Sequence, residues 1–191
     1  MYPSSFTALY DACVLYPAPL RDFLVQLALT DLFRAKWTDQ IHEEWIRNVL
    51  KNRQDLTIEQ LTRTKELMNS YVRDCLVTDY EYLIESVALP DPDDRHVLAA
   101  AIKAGADVIV TFNLSDFPEN ILQKYDIEPQ HPDEFISDLI DLKPGKIVTV
   151  AEVCRQRLKN PPKSIDDYLE TLLQQGLSIS VSMLREIYDE F

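Results

Sequence analysis

The stretch Asp91-Pro92-Asp93-Asp94-Arg95-His96-Val97-Leu98-Ala99-Ala100-Ala101-Ile102-Lys103-Ala104-Gly105-Ala106-Asp107-Val108-Ile109-Val110-Thr111-Phe112-Asn113-Leu114-Ser115-Asp116-Phe117 decides the fold class. Asp91 suits a helix N-cap, Pro92 the first helical position and Gly105 the stop. Between them Leu98, Ala101 and Ile102 form a stripe at helical spacing. Residues 106–111 then run almost unbroken in apolar, β-branched side chains, the composition of a strand covered on both faces in a parallel sheet. An apolar helix feeding such a strand argues for an α/β layer fold.

Working outward, residues 6–10 (Phe-Thr-Ala-Leu-Tyr) read as a first strand ending on Asp11. Residues 20–29 form a helical pattern. A second helix begins at Trp37-Thr38-Asp39, with Thr38 or Asp39 as cap and Ile41, Trp45 and Val49 on one face. A third opens at Thr57, whose spacing to Gln60 is that of a capping box, and runs to about Cys75. Residues 76–89 carry no clear periodicity. Beyond Asp116 a short helix starts at Pro118, a brief strand is expected near Ile127, and a helix spans 132–142. Lys143-Pro144-Gly145 reads as a boundary, followed by helical patterns at 149–158, 165–173 and 181–188. The expected organisation is an α/β domain over residues 1–142 and a helical C-terminal extension over 143–191.

The N-terminus lacks a basic leader, and its apolar stretch is broken by Asp11 and prolines, so no signal peptide or membrane span is expected. Cys13, Cys75 and Cys154 are scattered, which fits reduced thiols in a cytoplasmic protein rather than a zinc cluster. The net charge of −13 disfavours a protein that grips an extended duplex through its phosphates. Basic residues gather in the first half, among them Arg47, Lys51, Arg63 and Lys65. They are either solvated helix faces or a local wall that guides a short single strand.

Four acids stand out. Asp11 follows a buried strand, and ligands of open α/β sheets bind outside the carboxyl ends of strands. Asp94 occupies the third helical position counted from Asp91, where an acid caps, and it also shares the inner face of that helix with Leu98 and Ala101. Asp116 lies one turn beyond the strand 108–110, so two neighbouring parallel strands would deliver it and Asp11 to one crevice. Glu44 borders the apolar stripe of its helix; Glu43 is placed to pair with Arg47. Thr111 and Asn113 are candidates for orienting a ligand or phosphate, and Asp91 and Asp93 for capping or an outer contact. Clustered carboxylates repel one another unless a cation neutralises them. An all-oxygen set suits Mg²⁺ or Mn²⁺, which can activate water and stabilise a phosphodiester in flight.

These residues resemble a known pattern. Asp11 in Tyr-Asp-Ala-Cys-Val-Leu is similar to the opening motif of PIN-domain nucleases, as is helical Glu44 in Ile-His-Glu-Glu-Trp-Ile-Arg. The run from Asp91 to Phe117 resembles the family's third acid, its helix and strand, and the T-x-N-x-x-D-F signature. The resemblance covers residues 5 to 140. It implies a PIN-like three-layer α/β/α sandwich with a central parallel sheet, and Mg²⁺- or Mn²⁺-dependent ribonuclease activity carried by Asp11, Glu44, Asp94 and Asp116. Many such proteins are VapC-type toxins silenced by a cognate antitoxin, often as homodimers. Helices beyond about residue 146 extend past the minimal domain and would serve dimerisation, partner binding or substrate selection.

Two rivals fail on single positions. A haloacid-dehalogenase phosphatase needs an Asp where Cys13 stands. Dinucleotide-binding and P-loop folds need a glycine-rich turn that Gly105, Gly145 and Gly176 do not supply. The remaining alternative is a PIN-like module without turnover that binds RNA or protein.

Overall fold

Four short strands lie side by side, all parallel, in the order β2-β1-β3-β4. They are β1 (Thr7–Tyr10), β2 (Arg34–Lys36), β3 (Val108–Val110) and β4 (Glu128–Gln130). The structure, a computed structural model, describes residues 6–190. Phe191 lies outside them, as do residues 1–5, the beginning of the stretch in which no leader is expected.

The central strands form as their apolar runs predict. β1 and β3 are buried along their whole length and pair in register, Ala8 with Val108, Leu9 with Ile109 and Tyr10 with Val110. The outer strands carry weaker signals. β2 is Arg-Ala-Lys, with only Ala35 buried, and no apolar run announces it. Its charged ends suit an edge, where exposed backbone must be kept from pairing with other chains. β4 contains Pro129, which lacks a ladder N–H and is tolerated because β4 is the opposite edge.

Helices cover both faces. The first crossover contains a short helix α1 (Ala12–Leu15), too brief to show a periodicity of its own, and α2 (Ala18–Ala28). After β2 come α3 (Asp39–Asn52) and α4 (Ile58–Tyr71). Thr38 caps α3 by accepting from the Ile41 N–H at 3.0 Å. The capping box at the start of α4 closes in both directions, Thr57 with Gln60. The stretch 76–89 holds α5 (Glu81–Ile84) and an isolated bridge between Trp37 and Leu76, and α5 packs on α6 (Arg95–Ala104). After β3 come α7 (Glu119–Leu122), β4 and α8 (Pro132–Leu142).

The chain passes through Lys143 almost without a break into α9 (Pro144–Arg157), then α10 (Ile165–Gln174) and α11 (Ser178–Asp189). α9 begins five residues before the apolar pattern at Thr149, because Pro144 supplies the first helical position. These helices join the main core. α9 packs on α2 and α8, and α11 packs on α8. Ile147, Cys154, Leu169 and Leu184 belong to the same buried cluster as Leu9 and Ile109.

An aromatic group packs along β1 and β2. Tyr10 stacks on Trp37 with centroids 6.1 Å apart, and Phe33 meets Phe135 edge-on at 5.1 Å. Such pairs add specific geometry to the apolar area they bury. The strand order also sets where a ligand can bind. From β1 the chain leaves to β2 on one side, while β3 and β4 lie on the other, so connections diverge beyond the carboxyl ends of β1 and β3. That divergence opens the crevice in which α/β sheets bind ligands.

Candidate active site

Asp11 is the residue after β1, and its backbone N–H still bonds to the Val110 carbonyl at 3.1 Å. Its side chain is only 3% exposed, a costly place for a carboxylate, and three donors meet it. Oδ1 accepts from the Ala12 N–H at 2.7 Å. Oδ2 accepts from the Thr111 hydroxyl at 2.8 Å and from the Cys13 thiol at 3.3 Å. Each carboxylate oxygen offers two lone pairs, so Oδ2 is filled and Oδ1 keeps one free for a further partner. Burial nevertheless outweighs these bonds and pushes the Asp11 carboxyl upward.

Thr111 and Cys13 stitch the ends of β1 and β3 together. Thr111 Oγ1 accepts from the Asn113 N–H at 3.0 Å, and Cys13 Sγ accepts from the Phe112 N–H at 3.3 Å. The Cys13 thiol is pushed up to about 12 by burial and by Asp11, so it stays protonated and acts as a donor. In sequence Cys13 reads as a scattered reduced thiol and as the residue that excludes a phosphatase. The signal that points to its structural role is its place two residues after Asp11, opposite the loop that begins at Thr111.

The start of α6 differs from its expected form. Residues 92–94 make a 3-10 turn, α6 proper begins at Arg95, and Asp94 makes no capping hydrogen bond. Asp91 caps the turn by accepting from the Asp93 N–H at 2.9 Å. The tighter turn frees the Asp94 side chain from capping, so the cap anticipated there does not form. Gly105 ends α6 in the left-handed region (φ 61°), as its residue type allows. Asp116 closes a second 3-10 turn, residues 114–116, and is half-buried, whereas Asn113 is exposed. Among the described residues no donor reaches the carboxylates of Asp94 or Asp116, and Asp93 is exposed without a side-chain partner.

Glu44 reaches this crevice from α3. Its Oε2 lies 3.5 Å from His96 Nε2 on α6. His96 is 5% exposed, and its Nδ1 is buried without a partner, so Glu44 is the polar group its ring addresses. Dispersed histidines give no sequence signal for this contact. The available clue is the position of His96 two residues after Asp94. Glu43, in contrast, makes no pair with Arg47 among the described residues and is exposed to solvent.

The electrostatics tie the four acids together. The Asp94 carboxyl is pushed up to about 7, first by partial burial and then by the charges of Asp11, Asp91, Asp116 and Glu44. Glu44 also raises Asp11. The structure therefore brings Asp11, Glu44, Asp94 and Asp116 within electrostatic reach of one another, with Asp91 at the margin. Among the described residues no three His, Cys, Asp or Glu side chains converge tightly enough to wrap an ion by themselves. An open, all-oxygen set of this kind fits a hard divalent cation that keeps part of its water shell. Mg²⁺ usually keeps several waters and takes one or two carboxylates.

A parallel sheet with an acid beyond each central strand, one more from α3 and one from the 3-10 turn before α6, defines an α/β protein with a carboxylate-lined crevice. Residues 7–115 match the PIN domain family, and the chain belongs to that family. Residues 132–186 match the VapC50 C-terminal domain. Over 49 residues the chain is 55% identical to a Mycobacterium tuberculosis protein named "Putative ribonuclease VapC50", covering 26% of this chain and 29% of that protein. The match thus spans under a third of the relative. No solved structure matches the chain. No helix among the described residues is long and apolar enough to cross a membrane.

Proposed function

We propose that this protein is a metal-dependent endoribonuclease, the toxin of a toxin–antitoxin pair, with Asp11, Glu44, Asp94 and Asp116 as its working acids. The observation that carries the reading is the gathering of these carboxylates at the β1/β3 switch point, where partial burial first and then the charges of its neighbours push Asp94 up to about 7. The matches to a PIN domain and to part of a protein named a ribonuclease support the same chemistry. Asp11, Asp94, Asp116 and Glu44 would hold a Mg²⁺ or Mn²⁺ ion, which would supply an acidified water and positive charge for the phosphodiester. Asp11 is held rigid by Thr111, Cys13 and Ala12, with one Oδ1 lone pair left for a ligand. Asp94 and Asp116, which no donor among the described residues reaches, keep their oxygens available as ligands. Glu44 is steadied by His96 and can orient or deprotonate a water. Asn113 is exposed at the rim, within the loop that Thr111 braces, and is suited to a phosphate oxygen. The antitoxin would be a small partner protein that closes this crevice, and a homodimer is consistent with the helical extension.

The test is cleavage of labelled single-stranded RNA with Mn²⁺ or Mg²⁺, against EDTA and Asp94→Asn. Loss of a charged transition-state ligand should lower the rate roughly 100-fold or more. Cutting by Asp94→Asn at the parent rate, or undiminished cutting in EDTA, sinks the catalytic assignment. An inert parent under all ions leaves a silent binding module.

A further inference from the structure

On α3, Glu44 is followed at i+3 and i+7 by Arg47 and Lys51, so the three side chains share one ridge. Beside that ridge, between α3 and α4, runs a cleft of about 510 Å³ with an aliphatic floor of Ile46, Leu50 and Ile58. Its walls carry Arg47, Lys51 and Lys65, and one acid, Glu43. Lys65 is held by Asp39 at 2.7 Å. Arg47 and Lys51 are exposed and make no ion pair among the described residues, and Ile58 is 49% exposed although it is a large aliphatic group. On a chain with net charge −13, two unpaired cations next to bare aliphatic surface are out of keeping with their surroundings.

We infer that this cleft receives the RNA strand on its way to the acidic crevice, an inference that rests on the nuclease reading. The phosphates lie along Arg47 and Lys51, and an unstacked base covers the floor of Ile46, Leu50 and Ile58. From Glu44 to Lys51 is seven residues, roughly 10 Å at about 1.5 Å per residue. A strand seated on both cations therefore reaches the carboxylates within a few linkages. An acidic protein segment would satisfy the cations too, but it has no need to follow a ridge that leads to Glu44. The aliphatic floor offers contact area without base-specific donors, so the cleft would accept any base. Selection of a cut site then falls to other surfaces.

The experiment uses the full chain carrying Asp94→Asn, which removes cleavage from the measurement, and a fluorescent, unstructured, short single-stranded RNA in Mg²⁺. Anisotropy gives the Kd from low to physiological salt, with and without Arg47→Gln plus Lys51→Gln. Separately, Ile58→Glu places a charge on the floor at an exposed position that the fold does not need. The double variant should weaken binding about 10-fold or more at low salt. It should also flatten the log–log salt slope by about 1.4, about 0.7 for each phosphate neutralised on a single strand. Ile58→Glu should weaken binding with little change in slope. Unchanged affinity and slope overturn the inference. Equal loss of binding to polyglutamate of matched length also overturns it, in favour of an acidic protein segment. Should the parent fail to cut RNA while the slope changes as expected, the cleft stands and only the catalytic reading falls.

Discussion

At the scale of single residues, two titrating groups act on stability in opposite directions. Asp94 is raised from 3.8 to about 7. Between those values the native protein keeps a proton that the unfolded chain gives up, so stability falls as pH rises from about 4 to about 7. Asp94→Asn should therefore melt several degrees higher than the parent at pH 8 without divalent metal, and show little difference at pH 4. Calorimetric melts at both pH values decide it, and an equal shift at both would mean the effect is not the carboxylate's charge. His42 runs the other way. It is fully buried, and its neutral tautomer is set by its partners. Trp45 Nε1–H donates to His42 Nδ1 at 3.0 Å, leaving Nε2–H to donate to Asn69 Oδ1 at 2.9 Å. Burial lowers His42 to about 4 from 6.5, so its contribution is intact above 6.5 and lost as pH falls toward 4. In an NMR titration its ring signals should stay neutral down to about pH 5; a midpoint near 6.5 would show that this network does not hold.

At the scale of elements, one buried carboxylate fastens the start of α11 to α8. Asp133, in the first turn of α8 and 4% exposed, accepts from the backbone N–H groups of Ile179 and Ser180, each at 2.8 Å. It also accepts from the Ser180 hydroxyl at 2.7 Å. It thus satisfies the open N–H groups at the start of α11, which has no side-chain cap of its own, and its charge suits that end of the helix dipole. Asp133→Ala would orphan these donors in a buried place and should cost roughly 2–4 kcal/mol, measured by urea melts. Hydrogen exchange should show α11 losing protection before β1 and β3. Uniform loss would mean that α11 and the sheet open as one unit. The same feature explains why Pro132-Asp133 reads in sequence only as a helix start. Its partners lie 45 to 47 residues on, and nothing local points to them.

At the scale of the whole molecule, a chain of net charge −13 crowds four of its acids into one crevice. Monovalent salt should raise the melting temperature slightly by screening general repulsion. Mg²⁺ at equal ionic strength should raise it by several degrees more, because it binds the native acids specifically. Asp94→Asn should remove most of that excess while leaving the monovalent response unchanged. Equal responses to Mg²⁺ and Na⁺ would argue against a divalent site.

What the sequence determined alone is the part written in local patterns. The helix stop at Gly105, the apolar β3, the β1 strand ending on Asp11 and the capping box at Thr57 were all legible, since each depends on residues within a few positions. So were Asp11, Asp94 and Asp116 as candidates, two of them within the single run 91–117, while Glu44 rested mainly on the family resemblance. The tertiary structure decided the rest. Arg34-Ala35-Lys36 becomes a strand only because β1 offers it a free edge. Asp94 stays clear of the helix cap because a 3-10 turn, rather than α-helix, follows Asp91. Glu44 and His96, 52 residues apart, meet only when α3 and α6 pack beside the same sheet. Long-range contacts of this kind follow from topology and from the burial of whole faces, which no short window of sequence contains.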